Sequence, residues 1–499
     1  MAFLAKLLIS CSAVLFFGVT SNAFGFSSLR SDLKSLGFNV TISDDSGYSY
    51  VTVPFNLRFT PKPAAVAFPA NASQVAEVVK VAMKYNYSVV SRSGGHSYTA
   101  NCLGGGREGA IVVDLRNLNG VQIDSSSNRA TIGPGVVLGD LAVALSRGKR
   151  ALPHGTCPLV GVGGHSSYGG YGPTSRKWGL LMDTIQESEV VLANGTIVSA
   201  SKSTNSDLFW ALRGSAPSFG VVTSITVNTF PAPSSVTFFE YDWTLSTADA
   251  TKALASFQSF AASNFSSSFS ADLNLSPGSR AGQLSVTISG AHYEPPAAGP
   301  QSFNSTITPL LNLLPRPSTR NVTTGTYLDS VRFFEQWSWD KNDTFYAKSL
   351  LVPQDSPLSS GALEAFIKYI STDAFPASTT WWVQIGTFGG PNSYVQHTGQ
   401  NETAFPYRKS LLLMQLYTSS PRQTPPFPNA GFSLLDGMVN TIVTNSPPNW
   451  PYGVYGNYLD DRLPNSQQTY YGSHLGRLQQ LKRQYDPSNL FSFPMSISA

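Results

Sequence analysis

The spacing of apolar and polar positions changes several times between residues 65 and 230. Over residues 71–85, apolar side chains recur every three or four positions, which predicts a helix capped by Asn71 with Gln74 at its third position. Short apolar runs alternate with helical spacing, predicting strands at 87–91, 110–115, 190–193, 196–199 and 220–230 and helices at 138–147 and 207–212. The Asn194-Gly195 pair is typical of a tight hairpin. This part of the chain is predicted to be a mixed α+β domain.

From residue 233 onward the pattern is less regular and richer in aromatic residues. A linker-like stretch at 231–235 reads Pro-Ala-Pro-Ser-Ser, and the tryptophans that follow include Trp337, Trp339, Trp381 and Trp382. Near the end, leucines at helical spacing predict a helix that stops before Asp486-Pro487. We therefore divide the chain into a leader at 1–23, a first domain at 24–232, a second domain at 233–455 and a C-terminal segment at 456–499.

The first 23 residues have the composition of a secretory signal. Lys6 precedes an apolar stretch from Leu7 to Val19, and Ser21-Asn22-Ala23 supplies the small residues of a cleavage site. The apolar stretch is shorter than the roughly 20 residues that a membrane span requires. We therefore predict a secreted, extracellular protein.

Ten Asn-x-Ser/Thr sequons fit export, because such sites accept glycans on secreted chains. They lie at Asn39, Asn71, Asn86, Asn194, Asn264, Asn274, Asn304, Asn321, Asn342 and Asn401. Together they predict a glycoprotein.

Length, charge and motifs exclude several classes of protein. The chain has 499 residues, of which 41% are apolar, so we expect more than one globular core. The formal charge is +4 and no run of Lys and Arg occurs, which argues against nucleic-acid binding. The six histidines lack a metal-ligand spacing, and no P-loop, Rossmann glycine motif or Gly-x-Ser-x-Gly elbow is present. We expect a monomer that binds no nucleic acid, membrane or metal.

Two glycine-rich segments carry the candidate chemistry. Residues 92–98 read Arg-Ser-Gly-Gly-His-Ser-Tyr, and residues 153–180 contain a second glycine-rich run. Consecutive glycines let backbone N–H groups point into one concavity, which suits a pyrophosphate. Each segment also contains one nucleophilic side chain, His96 in the first and Cys157 in the second.

These segments resemble those of the berberine-bridge-enzyme-like FAD-linked oxidases, which have the vanillyl-alcohol-oxidase fold, and in particular the fungal oligosaccharide oxidases of that family. Ser-Gly-Gly-His-Ser-Tyr at 93–98 and His-Gly-Thr-Cys-Pro-x-Val-Gly-Val-Gly-Gly-His at 154–165 match the family's flavin segments, and the regions 207–223 and 455–491 are also similar. The resemblance covers residues 60–230 and 450–495 most closely. It implies an α+β, two-domain fold with an FAD-binding domain, a substrate domain built on an antiparallel sheet, and a C-terminal segment that returns to the FAD domain.

The resemblance implies that FAD is bonded to His96 through the 8α-methyl group and to Cys157 through C6. A disulfide between Cys102 and Cys157 is the alternative use of the second residue. Pro217, which lacks a backbone N–H, departs from the family pattern near the flavin. The other residues expected to bind the cofactor are Arg92, Ser93, Gly94, Gly95, Ser97, Gly161, Gly163, Gly164, His165, Gly169, Gly170, Gly220, Val222 and Asn457.

On the substrate side, the resemblance points to aromatic and amide side chains. Those expected to bind a sugar are Tyr98, Trp382, Gln384 and Gln415. Tyr458 is the expected catalytic base and Tyr455 its rival, since only one of them can face the flavin if the segment is a regular strand. Family members carry an Asp where this chain has Gly386, so Asp460 and Asp461 are considered as replacements.

The resemblance implies a secreted oxidase that converts the C1 hydroxyl of oligosaccharides to a lactone and reduces O₂ to H₂O₂. Two alternatives keep the flavin, namely oxidation of a small aromatic or alcohol metabolite and a dehydrogenase with another electron acceptor. A fourth hypothesis is a non-catalytic carbohydrate-binding glycoprotein, which would have no use for the two nucleophiles His96 and Cys157.

Overall fold

In the computed structural model, which describes residues 26–294, 299–335 and 342–499, the first described element is a helix over residues 26–34 (α1). A four-stranded sheet follows, in the order β1-β2-β4-β3, with β2, β4 and β3 parallel. Its strands and helices are β1 Val40–Ile42, α2 Tyr48–Val51, β2 Ala65–Ala67, α3 Ala72–Lys84, β3 Val89–Arg92 and β4 Ile111–Asp114. The predicted helix cap is confirmed, because Asn71 Oδ1 accepts a hydrogen bond from Gln74 N at 2.9 Å.

A five-stranded antiparallel sheet completes the first domain, in the order β5-β6-β10-β8-β9. The predicted hairpin is confirmed, since Leu192 N donates to Thr196 O at 2.9 Å. Gly195 takes the positive φ, +77°, that this turn requires. The elements are β5 Val121–Asp124, β6 Arg129–Ile132, α4 Leu138–Arg147, β7 Arg150–Ala151, α5 Val162–Ser167, α6 Ser175–Trp178, α7 Leu181–Thr184, β8 Ile185–Val191, β9 Ile197–Ser201, α8 Ser206–Ser215, β10 Val221–Asn228 and β11 Phe230–Pro231.

The second domain is built on a seven-stranded antiparallel sheet in the order β15-β12-β14-β13-β17-β18-β16. Alternation along each strand separates its two faces. On β17, for example, Trp381, Val383 and Ile385 pack in the core beneath the helices, whereas Trp382 and Gln384 lie on the opposite face. The elements are β12 Val236–Ser246, α9 Thr247–Ala261, β13 Phe269–Pro277, β14 Gln283–His292, α10 Gly299–Leu311, β15 Thr319–Gly325, α11 Tyr327–Glu335, β16 Phe345–Pro353, α12 Ser360–Lys368, β17 Thr380–Thr387, β18 Ser410–Ser419 and α13 Asn429–Thr444.

The C-terminal segment packs against the first domain through α14 (Ser466–Tyr471) and α15 (Leu475–Tyr485). The buried Lys482 ammonium donates to Asp486 Oδ2 at 2.7 Å and to Ser218 O at 2.8 Å. Leu490 O also accepts from Val89 N at 2.8 Å. The predicted terminal helix is confirmed, and it crosses back to the sheets formed early in the chain.

Some predictions lie outside the described residues, namely the leader at 1–23 and the tryptophans Trp337 and Trp339. Within the described ranges, none of the helices combines the length and the apolar character that crossing a bilayer demands. The same ranges contain no cluster of three or more His, Cys, Asp or Glu side chains arranged to hold a metal ion.

Candidate active site

A cavity of about 580 Å³ lies where the first domain, the polar face of the seven-stranded sheet and the C-terminal segment meet. Most of the residues predicted from the sequence to bind cofactor or substrate line it. They are Ser93, Gly94, Gly95, His96, Ser97, Tyr98, Cys157, Gly161, Gly163, Gly164, His165, Gly220, Val222, Trp382, Gln384, Gln415, Tyr455, Asn457 and Tyr458. Pro217 lines it as well.

Three predicted cofactor residues lie outside the lining of this cavity. The Arg92 guanidinium donates to Val51 O at 2.5 Å and packs beneath Gly95, where a Cβ would approach its Nε to 2.8 Å. Gly169 packs instead against the ring of Tyr455, and Gly170 packs against Leu181. These residues support the walls of the cavity from behind.

The two glycine-rich loops are held together by contacts that leave no room for side chains. A Cβ on Gly94 would lie 2.5 Å from Gly161 N, and one on Gly161 would lie 2.1 Å from the Ser93 hydroxyl. Ser93 Oγ donates to Pro134 O and accepts from Gly163 N. This close approach places the loops that carry His96 and Cys157 along one cavity.

His96 lies in this cavity as a neutral imidazole. Its ring stacks on Phe55 with centroids 3.6 Å apart. Burial lowers the pKa of His96 to about 4, so the ring is uncharged at neutral pH. Its Nε2 is buried without a hydrogen-bond partner among the described residues, and a neutral ring nitrogen is the form that can act as a nucleophile.

Cys157 and Cys102 both line the cavity but do not form a disulfide with each other. Burial raises the pKa of Tyr98, and the negative charge of a Cys157 thiolate raises it further, so this sulfur lies close to the predicted substrate residues. The structure therefore does not support the alternative of a disulfide between Cys102 and Cys157.

The His165 ring is hydrogen-bonded to the loop that carries Cys157. Its Nε2 accepts a hydrogen bond from Gly155 N at 2.9 Å, and burial lowers the pKa of His165 to about 3. The backbone carbonyl of His165 accepts from Asn457 Nδ2 at 3.0 Å. His165 therefore links the cofactor loop to the C-terminal segment.

Three of the predicted substrate residues lie on neighbouring strands of the sheet, and the fourth, Tyr98, reaches them from the loop after β3. Gln384 on β17 pairs in register with Gln415 on β18, and Trp382 stacks on Tyr417 with centroids 4.9 Å apart. Gln415 Nε2 donates to the Tyr98 hydroxyl at 2.8 Å. These side chains, Tyr98, Trp382, Gln384, Gln415 and Tyr417, form what we call the amide–aromatic wall.

The two tyrosines of the C-terminal segment both line the cavity, because the regular strand on which the expectation of a single flavin-facing tyrosine depended does not form. Tyr458 N donates to Tyr455 O at 2.9 Å, which closes a turn in place of a strand. Both rings line the cavity with centroids 5.1 Å apart. A turn brings residues three positions apart to the same side, whereas a strand would separate them.

The hydroxyl groups of these tyrosines differ in their partners. Tyr455 Oη accepts from Gly170 N at 2.9 Å, from Tyr171 N at 2.8 Å and from Asn457 Nδ2 at 3.1 Å. No hydrogen bond joins Tyr458 Oη to another residue of the described ranges, and its ring stacks on Tyr98 with centroids 6.0 Å apart. Burial raises the pKa of both phenols.

Asp272 is a cavity residue that the sequence analysis missed. It lies on β13, where its Oδ2 accepts from Gln384 Nε2 at 2.9 Å. Polar residues alternate with apolar ones along this strand, and that alternation was the available signal. Asp460 and Asp461, which the sequence suggested, are instead paired with Lys348 and Arg58 and do not line the cavity.

Asn274, one of the predicted glycosylation sites, lies on the polar face of the seven-stranded sheet. It lines the cavity on β13, whereas the Asn residues of the other nine sequons are exposed. A glycan would have to occupy the cavity, so we expect Asn274 to be unmodified in the secreted protein. Glycopeptide mapping checks this, with Asn71 and Asn194 as exposed sites in the same digest; a glycan found at Asn274 would contradict the placement.

Two family models match the chain. One, described as an FAD binding domain, matches residues 63–201, and the other, described as berberine and berberine like, matches residues 454–498. The chitooligosaccharide oxidase of Gibberella zeae is 35% identical over 89% of this chain and 89% of its own length. The chain belongs to the berberine-bridge-enzyme-like FAD-linked oxidoreductases. The family predicted from the glycine-rich segments is therefore confirmed.

Other members of the berberine-bridge-enzyme-like family are similarly close. FAD-linked oxidoreductase dpmaF of Metarhizium anisopliae is 37% identical over 90% of this chain and 86% of its own length. The solved glucooligosaccharide oxidase of Acremonium strictum has a TM-score of 0.86 and 30% identity, covering 94% of this chain and 99% of that chain. That enzyme carries a 6-S-cysteinyl, 8α-N1-histidyl FAD. The α+β fold predicted for this chain is confirmed.

The cavity has the features that the family's cofactor requires. Gly164 lines the cavity and has open space where a side chain would lie, so a pyrophosphate can approach its backbone. The neutral His96, with its buried Nε2 lacking a partner among the described residues, and Cys157 supply two nucleophiles along the same space. The cofactor is FAD, and the protein is an FAD-linked oxidoreductase.

Proposed function

We propose that the protein is a secreted oxidase that converts the C1 hydroxyl of oligosaccharides to a lactone and passes the electrons to O₂. The observation that carries this proposal is the amide–aromatic wall, which faces the same cavity as His96 and Cys157. Flat aromatic rings pack against sugar rings, and amides exchange hydrogen bonds with hydroxyl groups. The named activity of the Gibberella zeae relative, a chitooligosaccharide oxidase, supports the same substrate class.

In this reaction the C1–H and O–H bonds of the sugar break and a carbonyl forms. Bound FAD would supply the acceptor for the hydride from C1, and O₂ would then take up two electrons and two protons to give H₂O₂. His96 and Cys157 hold the cofactor by covalent bonds, as in the Acremonium strictum enzyme. Trp382 and Tyr417 present stacked rings to the sugar, and Gln384 and Gln415 hydrogen-bond to its hydroxyls.

Tyr458 is the phenol that we assign to the reacting hydroxyl. Its own hydroxyl is joined to no described residue, so it can hydrogen-bond to a substrate oxygen. The Tyr455 hydroxyl already accepts hydrogen bonds from two backbone N–H groups and from Asn457. Tyr455 therefore shapes the cavity wall, and Tyr458 hydrogen-bonds to the substrate oxygen that loses its proton.

A small aromatic or alcohol metabolite is the second candidate substrate. The observation that favours it is Gly386 in place of the acid expected at that position. The flavin chemistry would be the same, while the wall would bind a ring other than a sugar.

An oxygen-electrode screen with cello-, xylo-, malto- and chitotriose tests the proposed function. We expect O₂ uptake and equimolar H₂O₂ with at least one sugar, measured by a peroxidase-coupled assay on protein recovered from the culture medium. Bleaching of the flavin by a sugar under nitrogen without O₂ uptake in air would indicate a dehydrogenase. No bleaching by any of the four sugars would contradict the proposed substrate class.

A further inference from the structure

Asp272 places a carboxylate in the cavity, next to the amide–aromatic wall. Among the described residues that line the cavity, it is the only one with a carboxyl group. Gln384 Nε2 donates to its Oδ2 at 2.9 Å, which joins the carboxylate to the amide–aromatic wall. No hydrogen bond joins Oδ1 to another described residue, so this oxygen can accept one from a bound hydroxyl.

The Oδ1 atom lies beside the backbone of Gly386. Asp272 on β13 pairs in register with Gly386 on β17. A Cβ on residue 386 would lie 2.6 Å from Asp272 Oδ1 and 2.4 Å from the Tyr171 hydroxyl. The carboxylate and this phenol therefore occupy the space that a side chain at 386 would need, so the glycine and Asp272 together place an acid at this point of the sheet.

The other titratable groups of the cavity are poor proton acceptors at neutral pH. Burial raises the pKa of Tyr458 and of Tyr171 well above 10, so both phenols keep their protons. The imidazole of His96 is assigned to the cofactor, and the ring nitrogen of His165 already accepts from Gly155 N. A hydroxyl proton therefore needs a different final acceptor.

The carboxyl of Asp272 has the acidity that this task requires. Burial raises its pKa to about 6, while the hydrogen bond from Gln384 acts in the opposite direction. The group is thus ionised at neutral pH but more basic than an ordinary Asp, which improves it as a proton acceptor. The titratable side chains that interact with it are Tyr171 and Tyr293, and Arg176 lies beyond Tyr171.

We propose that Asp272 is a catalytic residue that accepts the proton of the hydroxyl being oxidised, while Tyr458 hydrogen-bonds to the same oxygen. The inference rests on the proposed function and adds a second residue to the same site. In the step, the O–H bond breaks and its proton goes to Oδ1 of Asp272. The C1–H bond breaks with its electron pair, which passes as hydride to FAD, and the carbonyl forms.

Anaerobic stopped-flow reduction of wild type and Asp272→Asn, across pH 4.5 to 9, tests the inference with the triose that reduces wild type fastest. The wild-type rate should fall as the pH drops through about 6, because the carboxyl becomes protonated and can no longer accept a proton. Asp272→Asn keeps an oxygen for the Gln384 hydrogen bond but removes the base. We expect a rate about 10²–10⁴-fold lower, an unchanged dissociation constant for the sugar, and no inflection near pH 6.

Asp329→Asn is the matched control, since this half-buried Asp accepts a hydrogen bond from Thr326 N at the start of α11 and does not line the cavity, and it should behave as wild type. A wild-type rate in Asp272→Asn, or an acid limb that persists in it, would overturn the assignment. An effect on the dissociation constant alone would overturn it too, by showing a role in binding only.

Infrared difference spectroscopy gives a readout without substrate. We expect a carboxyl band that titrates near pH 6 in wild type and is missing in Asp272→Asn. If wild type shows no such band, the inference is overturned. Failure of every sugar to reduce wild type is a different result, which contradicts the proposed substrate.

Discussion

Replacing both His96 and Cys157 by alanine will release the flavin from the protein. In the wild type, acid-precipitated protein should remain yellow, because each of the two residues holds FAD by a covalent bond. His96→Ala and Cys157→Ala should each keep the flavin attached by the remaining bond, and only the double variant should lose all of it. The measurement is the absorbance of the pellet and the supernatant after denaturation, with mass spectrometry of the flavin peptides.

Cys102→Ala is the control for the tether, since Cys102 lines the same cavity without being assigned to the flavin. It should retain all of the covalent FAD. Free FAD in the supernatant of denatured wild type would show that the tether is absent. Peptide mapping that finds Cys102 joined to Cys157 would contradict the assignment by a separate route.

Tyr458→Phe should slow flavin reduction by about 10²–10⁴-fold, the usual contribution of a group that assists proton transfer. The phenyl ring is retained, and with it the stacking on Tyr98. Substrate binding should therefore change little. Anaerobic stopped-flow reduction with the preferred triose separates the two quantities, since the limiting rate reports the chemistry and the concentration dependence reports binding.

Tyr455→Phe is the comparison that distinguishes the two tyrosines. It removes an oxygen that accepts from Gly170 N and Tyr171 N, so we expect a less stable protein whose reduction rate per folded molecule is close to that of wild type. A slow Tyr455→Phe beside a normal Tyr458→Phe would move the catalytic role to Tyr455. Thermal unfolding of both variants measures the difference in stability, so that the reduction rates can be compared per folded molecule.

Features that depend on local sequence could be predicted well. The cap of α3 needs only Asn71 and Gln74, and the hairpin needs only Asn194 and Gly195. The α4 helix begins and ends at the predicted residues 138 and 147. The glycine-rich segments were equally informative, because the contact at Gly94 and Gly161 leaves no room for side chains, and this requirement is visible in the sequence.

Features that depend on distant pairing could not be predicted. Asp272 comes to lie beside Gly386 only because β13 pairs with β17, and the two residues are 114 positions apart along the chain. The acids nearest to Tyr458 in sequence are Asp460 and Asp461, which form ion pairs elsewhere. The turn at Tyr455 was missed for a related reason, since the expectation of two opposite faces assumed a strand that does not form.

The return of the C-terminal segment to the first domain also sets the timing of cofactor attachment during biosynthesis. Tyr458 is translated 301 residues after Cys157, an interval of roughly 15–60 s at a synthesis rate of about 5–20 residues per second. Throughout this interval the cavity lacks one of its walls, so it cannot enclose FAD. The bonds from His96 and Cys157 to FAD therefore form only after the last 44 residues have been made and have closed the cavity.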